Sequence, residues 1–379
     1  MKITGYRTFM QRAGDRPRLL LAIDTDEGIT GWGECYDHGP DKALIPLLDY
    51  CFEQVQGHDP RRIEFLILKL LQHARFPPGA LGLAAIAAID HCLWDISGKA
   101  AGLPVFMLLG GHARERVRVY QGVRSGPDVQ EALDQVLALN EKWGFTAFKM
   151  RPFKTDLHAL RWGEVVKASA DFFAKLRERA PSHFEFAFDG HAQIFEPYQA
   201  VQLGNALAAY DPLFFEEPIR PEHIPAWGRL RAQLNCPLAT GECLYSRFEF
   251  LDLLSHQGAD IIQPDICAVG GLLEMRKIAA IAEAHYVTVA PHNPMGPLAT
   301  AHNVHFCAAQ PNLKILEYRL PLDVSWIKDP YLPKDGYLEL RHDRPGWGVE
   351  VDEAALATDD YVRWERALPR RPDGSTGYA

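Results

Sequence analysis

The chain has 379 residues, of which 47% are hydrophobic and 23% are charged, and its formal net charge is −9. This is an ordinary globular composition with enough apolar residues for a large core. The acidic balance argues against a nucleic-acid-binding protein, because such proteins carry a basic patch or stripe. Seven cysteines without a C-x-x-C pair argue against a disulfide framework and a zinc finger, so we expect a reducing, cytoplasmic location.

The amino-terminal residues MKITGYRTFM do not read as a signal peptide. The most apolar window, GALGLAAIAAIDHCLWDI, is interrupted by Asp90, His91 and Asp95. We therefore expect a buried helix there and no membrane span.

Residues 1–115 predict an α+β module. The stretch RLLLAIDTDEGITGWGECY contains two apolar runs joined by Asp26, Glu27 and Gly28, which predicts a β-hairpin. Helical patterns follow at about 42–56, 60–75 and 80–99, and the glycines and proline of SGKAAGLP end the last one.

Residues 116–325 alternate short apolar runs with amphipathic helical patterns such as 127–142 and 272–285. Eight runs with seven intervening helices predict an α/β fold, a (β/α)8-type or modified TIM barrel. An open doubly wound sheet is the alternative, although no G-x-G-x-x-G follows an early strand. The predicted strands are 117–122, 147–151, 184–189, 213–216, 237–242, 260–265, 287–292 and 313–318.

The alternation stops after residue 325. The turn-rich stretch GYLELRHDRPGWGVEVD predicts strands that return to the amino-terminal module. We therefore expect residues 326–379 to complete an α+β capping domain and to end in a mobile tail.

Ionisable residues occupy the ends of most predicted strands. In a parallel barrel these ends share the face that carries the active site. One carboxylate at such a position could simply cap the next helix. Six consecutive strand ends that carry Asp, Glu or His favour a functional site instead. These residues are Asp189, Glu216, Glu242, Asp265, His292 and Glu317.

The first three of these carboxylates suggest a metal site. Asp189, Glu216 and Glu242 end adjacent strands, so they would repel one another without a cation. Carboxylate oxygens without Cys or His suit Mg²⁺, whereas zinc normally recruits nitrogen or sulfur ligands.

Asp265 and His292 come next along the barrel. A carboxylate beside an imidazole fixes its tautomer and raises its basicity, which predicts a general base. A core histidine with satisfied hydrogen bonds is the structural alternative. Lys149 and Arg151 point to the same face of their strand. They could form structural ion pairs or hold an anionic substrate.

Several segments together resemble the enolase superfamily, specifically its mandelate racemase subgroup. They are GWGE, CLWDISGKAAGLPVFMLLGG, FFEEPIRPE, TGE, DIIQPDICAVGG, APHNPMGP and PGWGVEVD, and they span nearly the whole chain. The resemblance implies that Asp189, Glu216 and Glu242 bind Mg²⁺ and that Asp265 and His292 are the base dyad. It also implies that Glu317 hydrogen-bonds the substrate, that the loop 35–38 closes over the site, and that the protein is a homo-oligomer.

The variable positions indicate the reaction. A resemblance to the muconate-lactonizing and dipeptide-epimerase branch would imply Lys at the position of Asp265, so that branch is disfavoured. A resemblance to mandelate racemase itself would imply two bases in a K-x-K pattern, whereas this chain has KMR. A guanidinium is effectively never deprotonated, so Arg151 leaves one-base chemistry. The Asp-x-His of FDGHAQ resembles the galactonate-type sugar-acid dehydratases, in which His191 would be the general acid.

The resemblance thus implies Mg²⁺-dependent dehydration of a small acid sugar, an aldonate or aldarate, to a 2-keto-3-deoxy acid. His292 would remove the α-proton, Lys149 and Mg²⁺ would stabilise the enediolate, and His191 would protonate the departing 3-hydroxyl. We expect five further residues to contact the substrate: Arg151, Glu317, Asn293, Tyr36 and His38.

Other functions stay open. A lactone-opening cycloisomerase or an epimerase would share the fold and the first proton transfer. An amidohydrolase-like barrel would want an H-x-H pair where this chain has VRVYQG, and a non-catalytic binding barrel would need no proton transfer. His302 and His305 of TAHNVHF are interpreted as one face of a helix.

Overall fold

The computed structural model describes residues 1–158, 161–320, 325–357 and 359–377. The chain begins with an antiparallel meander of β1, β2 and β3 in that order. Gly14 and Gly28 adopt positive φ angles of 67° and 76° at the two tight turns, a conformation that glycine adopts without steric cost. The strands are Ile3–Ala13 (β1), Arg16–Thr25 (β2) and Thr30–Glu34 (β3).

Three helices pack on this meander: Leu44–Val55 (α1), Ile63–Gln72 (α2) and Gly79–Ala101 (α3). The motif GWGE lets α3 approach β3 closely, because a Cβ on Gly31 or Gly33 would lie 2.2 Å from a carbonyl oxygen of α3. By length and composition α3 could cross a membrane, but 78% of its apolar window is buried inside the fold. It is the core helix of the capping domain.

Eight parallel strands follow, and the first seven, β4 to β10, each pair with their neighbour along the chain. The last strand, β11, pairs with the first, β4, and Val289 of β10 bridges Leu313 just before β11, which closes the ring. The strands are Arg116–Gly122 (β4), Ala147–Met150 (β5), Glu185–Asp189 (β6), Phe215–Glu216 (β7), Leu238–Thr240 (β8), Ile261–Ile262 (β9), Thr288–Val289 (β10) and Leu316–Tyr318 (β11).

Helices alternate with these strands, and the short helix Val105–Leu108 (α4) precedes β4. The predicted modified TIM barrel with a capping domain is therefore confirmed, and the open sheet is wrong. The other helices are Val129–Trp143 (α5), Trp162–Arg179 (α6), Pro197–Ala208 (α7), Ile224–Arg231 (α8), Arg247–Ser255 (α9), Leu272–Ala284 (α10) and Pro297–Ala309 (α11).

The barrel interior is closed by a ring of buried apolar side chains, here called the floor. Four of its nine residues are alanines, which fill less of the barrel than the branched residues that usually pack there. The floor consists of Tyr120, Ala147, Ala187, Leu213, Phe214, Ala239, Ile261, Ala290 and Ile315.

The carboxy-terminal segment contacts both domains. Ile327–Lys328 (β12) pairs with Glu350–Val351 (β14), whereas Tyr337–Glu339 (β13) pairs antiparallel with β4 of the barrel. Further on, the amide of Asp360 donates to the carbonyl of Met10 on β1 at 2.8 Å. The last two residues of the predicted tail lie outside the described residues.

The two domains are joined by buried polar contacts. Glu34 of GWGE accepts hydrogen bonds from the amides of Gly296 and Ala299 at 2.8 and 2.9 Å, so it caps α11 of the barrel. Trp347 of PGWGVEVD donates its indole hydrogen to the Trp32 carbonyl at 3.2 Å. The quoted motifs thus position the capping domain over one end of the barrel.

Candidate active site

The ionisable residues lie one step above the floor, on the face that the capping domain covers. Side chains two residues apart on a strand point to the same side. Five floor residues are therefore each followed, two positions later, by an ionisable inward side chain. The pairs are Ala147 and Lys149, Ala187 and Asp189, Phe214 and Glu216, Ala290 and His292, and Ile315 and Glu317.

Three carboxylates meet in this layer. One oxygen each from Asp189, Glu216 and Glu242 lies within 4.8 Å of the others. Burial and the charge of Asp189 raise the pKa of Glu216 well above its usual range. The Oε2 atom of Glu216 is buried and accepts no hydrogen bond from the described residues. An all-oxygen donor set with an unused buried oxygen fits a hard divalent cation.

Lys149 stands beside these carboxylates. Its Nζ lies 2.8 Å from Glu216, 2.9 Å from Glu317 and 3.3 Å from Asp189. Burial alone would lower the pKa of Lys149, but Glu216 and Glu317 raise it well above its ordinary value. One ammonium beside three carboxylates leaves this layer with a net negative charge.

His292 is held by Asp265 on the other side of the layer. Its Nδ1 lies 2.9 Å from Oδ2 of Asp265, and its Nε2 points to Glu242 at 3.4 Å. The other oxygen of Asp265 accepts from the Cys267 amide at 2.8 Å. Burial would lower the pKa of His292, but Glu242, the Asp265 bond and Glu317 raise it to about 10. This geometry leaves Nε2 directed at the space above the carboxylates.

His191 faces His292 from the opposite wall, since β6 and β10 are separated by three strands. Its Nε2 lies 3.1 Å from Oδ2 of Asp189, and its amide donates to Oδ1 at 2.8 Å. The residue has a φ of 48°, and Gly190 before it packs so closely that a Cβ would meet Pro218 at 2.8 Å. The sharp turn directs His191 back over the carboxylates.

Family comparisons agree with this geometry. Residues 131–355 match the family described as enolase C-terminal domain-like, and residues 6–110 match the mandelate racemase / muconate lactonizing enzyme N-terminal domain. The chain belongs to the mandelate racemase/muconate lactonizing enzyme family of the enolase superfamily. The predicted resemblance is therefore confirmed.

Similar members of this family cover the full chain. D-galactonate dehydratases from Xanthomonas oryzae pv. oryzae and Pectobacterium atrosepticum are 36% and 34% identical to it, with 99% of both chains covered. A solved structure from Agrobacterium radiobacter is 61% identical, with a TM-score of 0.98 and full coverage of both chains. It is described as an enolase, provisionally a galactarate dehydratase, with sodium and L-malate bound.

The capping-domain loop 35–38 lies against His292. The ring of Tyr36 is centred 6.2 Å from that of His292, and His38 packs between Tyr36 and Tyr245. Burial lowers the pKa of His38, and its buried Nε2 bonds to none of the described residues. Both predicted cap residues are thus placed at the site.

Arg151 and Asn293 have other partners. Arg151 is exposed, and its guanidinium donates to the side-chain oxygen of Gln193 in the His191 loop. The side chain of Asn293 donates to Thr300 at 3.0 Å and to the Glu317 carbonyl at 3.1 Å, while its amide donates to Oε2 of Glu317 at 2.9 Å. Asn293 fixes Glu317, and a direct substrate contact by either residue stays a prediction.

The sequence reasoning missed Glu217 and Arg366. Burial and Glu242 raise the pKa of Glu217 to about 8, and the carboxyl accepts from the Thr240 hydroxyl. The doubled glutamate of FFEEP was the available signal. Arg366 donates to the carbonyl of His191 at 2.9 Å across 175 residues of sequence, a distance that no local pattern reveals.

Proposed function

We propose that this enzyme is a Mg²⁺-dependent acid-sugar dehydratase that converts an aldonate or aldarate into a 2-keto-3-deoxy acid. The observation that carries the proposal is the pair of histidines on opposite walls of one carboxylate layer. Asp265 holds Nδ1 of His292 at 2.9 Å, and Nε2 of His191 lies 3.1 Å from Asp189 on the facing wall. The names of the dehydratase relatives support the same reaction class.

Asp189, Glu216 and Glu242 would hold the cation. Bound there, Mg²⁺ would offset the carboxylate charges, bring the pKa of His292 below 10 and stabilise negative charge on the substrate carboxylate. Lys149 contributes a fixed positive charge from the neighbouring strand, 2.9 Å from Glu317. It stabilises the enediolate electrostatically, which matters most in a site that excludes water.

His292 acts as the general base. Its Nε2 takes the proton from the carbon next to the substrate carboxylate, and the C–H electrons form the enediolate. Asp265 keeps Nδ1 protonated and stabilises the imidazolium that results. Arg151 cannot return a proton from the opposite side, because a guanidinium stays protonated. The intermediate therefore proceeds to elimination and does not reprotonate with inversion.

His191 acts as the general acid. It protonates the 3-hydroxyl as the C3–O bond breaks, so the hydroxyl leaves as water and the enol forms between C2 and C3. The enol then tautomerises to the 2-keto-3-deoxy acid. Its partly exposed side chain, 46% accessible, allows it to exchange protons with solvent between turnovers.

A library of mono- and diacid sugars incubated with Mg²⁺ tests the proposal. Formation of a 2-keto-3-deoxy product, detected through its new carbonyl group, is expected for at least one acid, together with deuterium exchange at the α-carbon. A configurationally inverted or isomeric product without loss of water would instead identify the epimerase or cycloisomerase alternative. Absence of both exchange and product for every acid sugar would overturn the proposal.

The proposal further includes a cytoplasmic homo-oligomer that acts on a small molecule. The acidic net charge and the unpaired cysteines support this location. Light scattering on the purified protein measures the oligomeric state, and a monomer would contradict that part.

A further inference from the structure

Arginines follow the ends of three neighbouring strands of the barrel, above the catalytic layer. Glu317 is followed two residues later by Arg319, and Lys149 by Arg151. Tyr120, whose ring lies 5.6 Å from Nζ of Lys149, is followed four residues later by Arg124. Strands β11, β4 and β5 are adjacent, so this sector of the rim is basic although the protein is acidic.

Arg319 meets Arg18 of the capping domain in this sector. Arg319 donates from Nη1 to the carbonyl oxygen of Pro294 at 2.8 Å, and Arg18 donates from Nη2 to the same oxygen at 3.0 Å. Burial and the charges of Arg18, Arg16 and Arg124 lower the pKa of Arg319. Arg18 and Arg319 thus meet at Pro294, which follows His292 by two residues, and the charges of Arg16 and Arg124 act on Arg319.

The carboxylates nearby are already engaged. Asp37 lies 2.7 Å from Arg18 and 3.3 Å from Arg16, and Glu34 lies 3.8 Å from Arg18. Within the described ranges, neither Arg319 nor Arg124 has a carboxylate at ion-pair distance. Asp37, which Arg18 and Arg16 already share, raises the pKa of Arg319 less than burial and the neighbouring arginines lower it. A half-buried guanidinium beside other guanidinium groups is costly, and a planar carboxylate is its best-matched partner.

We propose that Arg319, together with Arg124, binds the second carboxylate of a dicarboxylic acid sugar, so that the substrate is an aldarate. The inference rests on the proposed dehydratase function and names its substrate class. The first carboxylate would lie at Lys149. Arg319 follows Glu317 by two residues, which corresponds to about 7 Å along an extended chain. The carbon chain of a six-carbon diacid spans this separation.

Arg151 of this sector and Arg366 of the carboxy-terminal segment are less suited to this task. Arg151 binds Gln193, and Arg366 binds the carbonyl of His191, so both hold the loop of the general acid. The sector of Arg319 also lies next to His292, where the far end of a substrate can extend under the capping domain.

The test compares kcat/KM for an aldarate and for the aldonate with the same configuration at C2 to C5. The wild type should favour the diacid at least tenfold. In Arg319→Gln the ratio of the two kcat/KM values should fall about tenfold or more, mainly through KM for the diacid, because a charge-assisted hydrogen bond is lost. Arg114→Gln is the matched control, since Arg114 also donates only to carbonyl oxygens but lies before β4.

Arg124→Gln is the second variant, because an exposed side chain without a described hydrogen bond can be replaced with little cost to folding. It should lower the same ratio several-fold. Equal turnover of both acids, with ratios unchanged in both variants, would overturn the aldarate assignment while the dehydratase function stands. Failure of both acids to lose water would overturn the function, and the inference with it.

Discussion

Two groups of ionisable side chains lie where the capping domain meets the barrel, and they differ in charge. The first is the site cluster of Lys149, Asp189, Glu216, Glu242, Asp265, His292 and Glu317. The second is formed by the junction histidines, His91, His302 and His305. Opposite charges raise the pKa values of Lys149 and His292, so the site cluster stays charged. Burial lowers the pKa of all three junction histidines, so they stay neutral.

The junction histidines pack as aromatic rings. The rings of His91 and His302 are centred 3.9 Å apart, and that of His302 lies 4.5 Å from the Trp347 ring. Cys267 joins His91 and His302 within 4.8 Å, as closely as the three carboxylates of the site approach one another. Burial raises the pKa of Cys267 well above its usual value, so its thiol stays protonated and is a poor metal ligand.

The comparison shows that burial and ligand type alone do not identify a functional site. The site cluster stands at strand ends of a parallel barrel. Buried atoms without a hydrogen-bond partner among the described residues occur in both groups, at Oε2 of Glu216 and at the ring nitrogens of His91 and His302. The junction histidines stand on α3 and α11, where they fill space between the domains. Four experiments test this distinction.

Asp189→Asn should give the largest effect. The change removes one negative charge from the proposed cation site, so kcat/KM with Mg²⁺ should fall at least about a hundredfold. Mg²⁺ affinity, measured by titration calorimetry, should fall with it. His302→Gln is the contrasting variant, and it should change kcat/KM by less than about threefold. Full activity of Asp189→Asn with all metal chelated would contradict the site.

His191→Asn should separate two steps of the reaction. Loss of a general acid should lower dehydration by about a hundredfold or more, while deuterium exchange at the α-carbon continues through His292. His292→Asn is the matched variant and should abolish both, as measured by product assay and proton NMR. If both rates fall equally in His191→Asn, the residue is not the leaving-group acid.

Arg366→Met tests whether the carboxy-terminal segment positions His191. Without the hydrogen bond to the His191 carbonyl, dehydration should fall by about tenfold, while α-proton exchange is retained because Asp265 still holds His292. Arg363→Met is the control, since Arg363 lies in the same segment and pairs with Glu365 at its surface. Equal loss of exchange and dehydration would argue for a general structural effect.

The smallest effect concerns stability against acid. The pKa of His305 is about 3 in the fold, below its unfolded value near 6.5. As pH falls below 6.5, His305 is protonated in the unfolded chain but stays neutral in the fold. The free energy of unfolding therefore decreases by roughly 1 kcal/mol per pH unit down to about pH 3. His305→Gln should therefore show a shallower loss of stability between pH 7.5 and 5.5 in urea unfolding. An unchanged pH dependence would show that His305 is protonated in the fold.

The alternation of apolar runs and helices predicted the barrel, because strand–helix spacing is a local property of the sequence. It also placed Asp189, Glu216 and His292 on one face, since parallel strands share an edge. Some strands end earlier than predicted, for example Leu238–Thr240 for 237–242, because the chain bends at the rim. At Gly241 it does so with a φ of 135°.

Long-range contacts could not be predicted. Sequence periodicity does not indicate the hydrogen bond from Arg366 to His191 or that from the Asn293 side chain to Glu317. It does not indicate the pairing of β13 with β4 either. These pairings depend on the folded shape of both domains. The chemical roles of the site residues stay predictions, since they concern a bound substrate.

The course of the carboxy-terminal segment has a practical consequence for making the protein. Trp364 stacks on Arg16 at 3.4 Å, Arg366 holds the His191 loop, and Arg371 lines a cavity with Gln193. An affinity tag fused after residue 379 would therefore extend from a segment that contacts the His191 loop. The amino-terminal ammonium pairs with Glu27 at 2.8 Å, at the β2–β3 turn of the capping domain. Expression vectors for kinetic work should place the tag at the amino end.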